Sequence, residues 1–221
     1  MAYRRTEKVV RRLAARHDAI LAAARALAAE GGMAAVQIAA VADRAGIAAG
    51  TTYRYFPSKT EMVAALVKAV SETELAAVRR AADAAPGPLS ALAAAIATFA
   101  VRALARRRLT WAVLAEPIDP EVDPVRLAYR KALAGEMETR IRACIAHLPE
   151  QDAKLAAPAL IGALIEGLIG PLVPALPDDR AKARETAQGL TLLALRALGV
   201  VDAHARGLVV QCVLPAVEEA A

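Results

Sequence analysis

The sequence predicts an all-α protein, a small N-terminal helical head followed by a larger helical body, and three observations predict it. Alanine, the strongest helix former and one that adds little apolar bulk, occurs 58 times in 221 residues. Aromatic residues make up only 3% of the chain, and no stretch alternates apolar and polar side chains as a half-buried strand would. Apolar residues instead recur at three- and four-residue spacing, punctuated by Gly and Pro.

Each element follows from that spacing. A first helix is predicted over Leu13–Glu30, with Leu13, His17, Ile20, Leu21, Ala24, Leu27 and Ala28 on one face and Gly31-Gly32 closing it. A second covers Gln37–Ala45 and is broken by Gly46, and a third covers Ala48–Phe56. Ser58 is a good N-cap, and Glu61 three residues on completes a capping box for a fourth helix running to Ala82. Pro86-Gly87-Pro88 is the clearest break. A fifth helix follows, marked by Leu89, Leu92, Ile96, Phe99 and Ala103 and ended by Arg106-Arg107-Arg108. A short sixth helix spans Leu109–Glu116. Asp123-Pro124 reads as cap and first turn of a seventh running to Leu148, with Leu127, Met137, Ile141, Cys144 and Leu148 inward. Helices over Asp152–Leu172 and Arg180–Leu198 flank a loop at Pro174–Asp179, and Asp202 starts a tenth ending near Pro215.

Charge and composition narrow the function. The net charge is +5, yet residues 1–60 carry ten Lys/Arg against four Asp/Glu, while the rest is close to neutral. A basic module on a neutral body is the footprint of phosphate binding, although a solvated basic tail accounts for part of it. Cys144 and Cys212 sit in apolar runs without ligand spacing and read as reduced core thiols. His17, His147 and His204 share no metal-ligand spacing. No metal and no cofactor is expected. The basic start lacks a secretory core, and the apolar run Leu155–Leu176 is interrupted by Gly and Pro, so a cytoplasmic protein without a membrane segment is expected. No nucleophile elbow, glycine-rich phosphate loop or His-x-x-x-His pair is present, which argues against an enzyme.

The informative segment is Gln37–Lys59. Two short helices flank a tight turn at Gly46, a residue that tolerates positive φ, and the second helix gathers Thr51, Thr52, Tyr53, Arg54 and Tyr55. Such groups donate to phosphate or reach base edges, and Lys59 lies just beyond them. The run Ala42-Asp43-Arg44-Ala45-Gly46-Ile47, then Gly50-Thr51, then Tyr53-Arg54-Tyr55-Phe56-Pro57-Ser58-Lys59 resembles the helix-turn-helix of TetR/AcrR-family regulators. The resemblance implies a three-helix DNA-binding head at residues 1–59 whose third helix enters the major groove. It also implies a C-terminal ligand-binding and dimerisation domain at residues 60–221. Members work as homodimers on palindromic double-stranded operators, usually repress, and release DNA when a small molecule binds the body. Tyr53 and Lys59 would correspond to phosphate contacts, Thr51 and Thr52 would lie at the groove, and Phe56 would be a core residue. Tyr55 is read either as a DNA contact or as packing, and Arg44 either as a backbone contact or as a solvated charge. Two departures stand out. Gln37 and Ala48 occupy places where the family often has Ser or Thr, and a lost cap costs about 1 kcal/mol. Base readout would then lean on Gln37, Thr52 and Arg54, with Arg4 and Arg5 reaching the minor groove or flanking phosphates.

In the body, Phe99, Trp111 and Tyr129 are the natural walls of a pocket for a small, largely apolar effector, with core packing as the alternative. Glu166, an acid in an apolar helix, needs Arg102, Arg130, a cationic ligand or a place in a dimer seam; Glu116 is a weaker candidate. Helices 152–172 and 180–198 look apolar around most of their circumference, through Leu160, Ile161, Leu164, Ile165, Leu168 and Ile169 on one and Leu190, Leu192, Leu193, Leu195 and Leu198 on the other. A homodimer through these two is expected. The competing function is a DNA-binding regulator with no small-molecule ligand, controlled by a protein partner or by abundance.

Overall fold

The computed structural model describes residues 7–172 and 180–212. Helices run in the order α1 (Glu7–Gly31), α2 (Ile38–Arg44), α3 (Ala49–Tyr53), α4 (Lys59–Asp83), α5 (Pro88–Ala105), α6 (Arg107–Leu114), α7 (Asp123–Ala143), α8 (Ala153–Ile169), α9 (Arg180–Ala197) and α10 (Asp202–Gln211). Two 3₁₀ turns, Met33–Ala35 and Pro120–Val122, connect them, and no strand occurs among the described residues. The all-α expectation holds. Arg4 and Arg5, the loop Pro174–Asp179 and Pro215 lie outside the described residues.

Local chemistry explains several helix ends. Gly32 leaves α1 at φ 73° and Gly46 makes the α2–α3 turn at φ 63°, a region L side chains rarely enter. The Ser58 hydroxyl accepts the Glu61 N–H at 3.0 Å and starts α4, the N-cap half of the expected capping box; the reciprocal bond from the Ser58 N–H to the Glu61 carboxylate is not formed among the described residues. The Asp152 carboxylate accepts the Lys154 N–H at 2.9 Å and starts α8. The cap expected at Asp123 is displaced. Asp119 accepts the Glu121 N–H at 3.0 Å and caps the 3₁₀ turn at Pro120, while Asp123 already lies inside α7.

The head forms where α1 packs against α2 and α4, and α2 against α3. Ile20, Ala24 and Ala28 are fully buried on one face of α1, together with Val36, Val41 and Met62. In the body α5 is the central element, touching α4, α7, α8, α9 and α10. It is long and apolar enough to cross a membrane, but 61% of it is buried within the protomer, as befits a core helix.

Two sequence expectations fail here. α7 ends at Ala143, short of Leu148, and Leu127 is 51% exposed; the inward face is Tyr129, Leu133, Met137 and Ile141. The six large residues read as spreading around most of α8's circumference lie together on one face, buried in the protomer's own core. The outward face of α8 is Leu155, Pro158, Ala159, Gly162, Ala163 and Glu166, so the helix carries large residues inward and mostly small ones outward. On α9, Leu195 and Leu198 are buried while Leu193 is 60% exposed.

Candidate nucleic-acid interface and effector cavity

The short α3 has one exposed face, made of Ala49, Gly50, Tyr53 and Arg54, the i, i+1, i+4, i+5 set that lies together on a helix. Tyr53 is 53% exposed, and Lys59 projects at the first turn of α4 beside it in sequence. Tyr53, Arg54 and Lys59 have no ion pair or side-chain hydrogen bond among the described residues, so all three are available to a phosphate backbone or a groove.

The other expected contacts are placed differently. Thr52 is fully buried, and among the described residues its Oγ1 is the one buried side-chain oxygen or nitrogen without a hydrogen-bond partner. It packs the head rather than facing outward, lying on the buried side of α3, opposite the face of Ala49, Gly50, Tyr53 and Arg54. Thr51 and Tyr55 are half-buried, and Tyr55 packs on the core. Both Arg44 guanidinium Nη atoms donate to the Glu30 carboxylate at 2.8 Å, tying the end of α2 to the end of α1. That pairing raises the guanidinium's pKa and lowers the carboxylate's, in each case chiefly through the side-chain hydrogen bond. Gln37 is exposed and donates from Nε2 to the Ala34 carbonyl at 2.9 Å. Neither Gln37 nor Ala48 makes a side-chain cap, as the sequence implied. Phe56 is buried, its ring centroid 5.0 Å from that of His17 on α1.

Of the four residues expected to bind an effector, two come together. Phe99 and Tyr129 line a cavity between α4, α5, α6 and α7 with Val70, Glu74, Leu109 and Val113. It holds about 10 Å³, room for about one water. Burial, and then the nearby Glu74 charge, push the Tyr129 phenol well above its usual pKa, so it is a neutral hydroxyl at physiological pH. Trp111 is half-buried outside this cavity, with the Arg108 guanidinium 5.7 Å from its ring centroid, a cation–π contact. Glu166 is exposed on α8 and meets neither Arg102 nor Arg130; its carboxylate accepts the Leu172 N–H at 3.4 Å.

The cavity's polar group is one the sequence reading missed. Glu74 on α4 accepts from Arg102 Nε at 2.5 Å and Nη2 at 2.9 Å, and from Arg106 Nη1 at 3.1 Å. The only trace in sequence is that Arg102 and Arg106 stand four apart at the end of an otherwise apolar helix. Arg25 of α1 lies within electrostatic range of this cluster; burial first, and Arg106 next, lower its pKa. On the far side of α5, an open groove of about 670 Å³ runs between α4, α5 and α10 past Arg80 and Arg102.

Comparison with known proteins agrees with the geometry of the head. Residues 20–66 match the family model described as bacterial regulatory proteins, tetR family. A 48-residue stretch is 56% identical to the HTH-type transcriptional repressor KstR of Mycobacterium tuberculosis, covering 22% of this chain and 22% of that protein. The chain thus aligns with about a fifth of that curated relative's length. Solved structures resemble the whole fold. RolR in complex with resorcinol superposes with a TM-score of 0.65 at 22% identity, covering 94% of this chain and 98% of that one. FadR from Bacillus subtilis in complex with stearoyl-CoA gives a TM-score of 0.68 at 18% identity, covering 83% of this chain and 98% of that one.

Proposed function

We propose that this chain, whose residues 20–66 match the model of the TetR family of bacterial regulatory proteins, is a homodimeric transcriptional repressor released from a palindromic operator by a small, largely apolar effector. Residues 1–59 are the DNA-binding module and residues 60–221 the effector-binding and dimerisation module. The observation that carries the proposal is the single exposed face of α3, where Tyr53 and Arg54, like Lys59 five residues on in sequence, have no partner among the described residues. Tyr53 and Lys59 take backbone phosphates, and Arg54 and Gln37 reach the groove. Thr52 supports the helix from behind. With so few side chains free to read bases, phosphate contacts carry most of the affinity.

The dimer is assigned to the outward faces of α8 and α9. The small residues Ala159, Gly162 and Ala163 let a second helix approach closely, and Leu155 and Leu193 supply exposed apolar bulk. The effector is assigned to the cavity beside Phe99 and Tyr129, where Glu74 and the Tyr129 hydroxyl supply polar partners. The relatives named above include one bound to resorcinol and one bound to stearoyl-CoA, which supports an effector in this body without identifying it.

One observation favours a second reading, a regulator without a small-molecule ligand: the cavity as it stands admits only about one water. A thermal-shift screen separates the two, since a ligand that binds the folded state raises its apparent stability by mass action. DNA binding is tested with a duplex selected by the wild-type protein from a random-sequence pool. The Tyr53→Ala/Lys59→Ala double variant should lose most affinity for it while keeping the dimer and its helicity. Unchanged affinity would put the recognition surface elsewhere.

A further inference from the structure

The end of α6 is where the body grips the head. Glu116, 9% exposed, accepts the Met33 N–H at 2.9 Å across 83 positions of chain. Beside it Arg108 Nη2 donates to the Gly31 carbonyl at 3.1 Å. The backbone between these two contacts passes so close that a Cβ on Gly32 would stand 2.5 Å from the Glu116 carboxylate and 2.9 Å from the Arg108 guanidinium. Met33 opens the 3₁₀ turn that leads into α2, so this grip sits directly upstream of the helix-turn-helix.

The same end of α6 is fastened to α7. Arg126 donates from Nε to the Val113 carbonyl at 3.0 Å, and from Nη2 to Ala112 at 3.2 Å and Glu116 at 2.7 Å. These are carbonyls at a helix C-terminus, which has no partners of its own. Arg126 precedes Tyr129 by three residues on α7, and Val113 lies on α6, so two of the cavity's lining residues belong to the two helices that Arg126 joins. Enlarging the cavity requires α6 and α7 to part or to shift together. Either movement displaces Glu116 relative to Met33.

We propose that Glu116 is a positioning residue that transmits the state of the interior cavity to the DNA-binding head, with Arg126 as its anchor on α7. The inference rests on the repressor reading above and assigns the regulation of that site. Glu116 touches neither DNA nor effector. It sets the attachment of the 3₁₀ turn, and through it the placement of α2 and α3.

The test needs no knowledge of the effector. Val113→Phe overfills the cavity and stands in for an occupied pocket. Its effect on affinity for the selected duplex is measured in three backgrounds: wild type, Glu116→Gln, which keeps an acceptor for the Met33 N–H, and Glu116→Ala, which does not. Transmission through Glu116 predicts a loss of about tenfold, within the usual span of allosteric couplings, in the first two backgrounds and under about threefold in the third. Equal losses in all three overturn the proposal. So does no loss at all from Val113→Phe in a folded dimer. If the Phe variant does not fold, Val113→Ile presses on the same wall by one methylene and is read the same way. A readout without DNA comes from amide exchange. The Met33 amide should exchange at least about tenfold faster in Glu116→Ala than in wild type or Glu116→Gln, with α8 and α9 amides unchanged. A Met33 amide that stays protected in Glu116→Ala contradicts the grip. A wild-type protein that selects no DNA overturns the repressor reading itself, an outcome distinct from equal losses.

Discussion

Replacing Lys59 by alanine should change how DNA binding depends on salt more tellingly than it changes the affinity at any one salt. Lys59 sits in the first turn of α4, exposed and without an ion pair among the described residues, five residues after Arg54 in sequence. A lysine that neutralises one phosphate releases counterions and contributes about 0.9 to the slope of log affinity against log salt, so a dimer losing two such contacts should show a slope shallower by about 1.8. From about 50 to about 200 mM salt the wild-type protein should therefore lose about 12-fold more affinity than the variant. Fluorescence anisotropy on the selected duplex across a salt series reads this directly. Arg44→Ala is the matched control: its guanidinium is committed to Glu30 by two 2.8 Å bonds, so the slope should stay as in wild type. A Lys59→Ala protein with weaker binding but an unchanged slope would mean that Lys59 acts through the stability of the head and not through phosphate.

Further outcomes are expected. Gly162→Arg should give monomers by light scattering, because a Cβ there meets none of the described atoms within 4 Å and stands on the outward face of α8; a persistent dimer would move the interface elsewhere. Gly46→Ala should cost about 1–2 kcal/mol in denaturant midpoint analysis from its positive φ alone. Gly32→Ala should cost at least about 1 kcal/mol more, since its Cβ also displaces Glu116 from Met33, and equal costs would refute that contact. Thr52→Val, which removes a buried hydroxyl without a partner, should be neutral or stabilising by up to about 1 kcal/mol and leave DNA affinity intact; a large affinity loss would return Thr52 to the groove. The Cys144 thiol, pushed up to about 11 by burial, should resist alkylation at pH 8 in the native protein and react on unfolding.

What could be read from sequence was local. The Gly46 turn, the Ser58 N-cap and the missing caps at Gln37 and Ala48 each depend on residues within a few positions of one another, and all appear as expected. Thr52 shows the limit of such reading. Its position within a polar run suggested DNA, yet the phase of a five-residue helix turns it inward. On α8 the pattern was present but misread. Leu160, Ile161, Leu164, Ile165, Leu168 and Ile169 follow i, i+1, i+4, i+5 spacing, a single face, while Ala159, Gly162 and Ala163 mark the opposite one. Reading those six as spread around the circumference concealed that asymmetry. On α7 Met137, Ile141 and Cys144 are inward as expected, but the buried face continues through Glu136, 7% exposed and paired with Arg79 and Arg140, to Leu133 and Tyr129, and Leu127 falls outside it. The Glu74 cluster and the Glu116–Met33 contact join residues 28 to 83 positions apart, and only the register of packed helices decides which charges meet.

The alanine content that marked the chain as helical also shapes how the proposed effector would act. Along α5 the buried positions include Ala91, Ala93, Ala95, Ala97, Ala100 and Ala103, so the surrounding helices meet its backbone closely. Alanine has no rotamers with which to make room. A core built this way opens a pocket by shifting whole helices, and close-packed interiors pass such shifts on rather than absorb them. Around the cavity the shortest helix is α6, eight residues long and joined to α5 through Arg106 alone. It is also the helix of the cavity wall in closest contact with α1, and Glu116, just past its far end, holds the head.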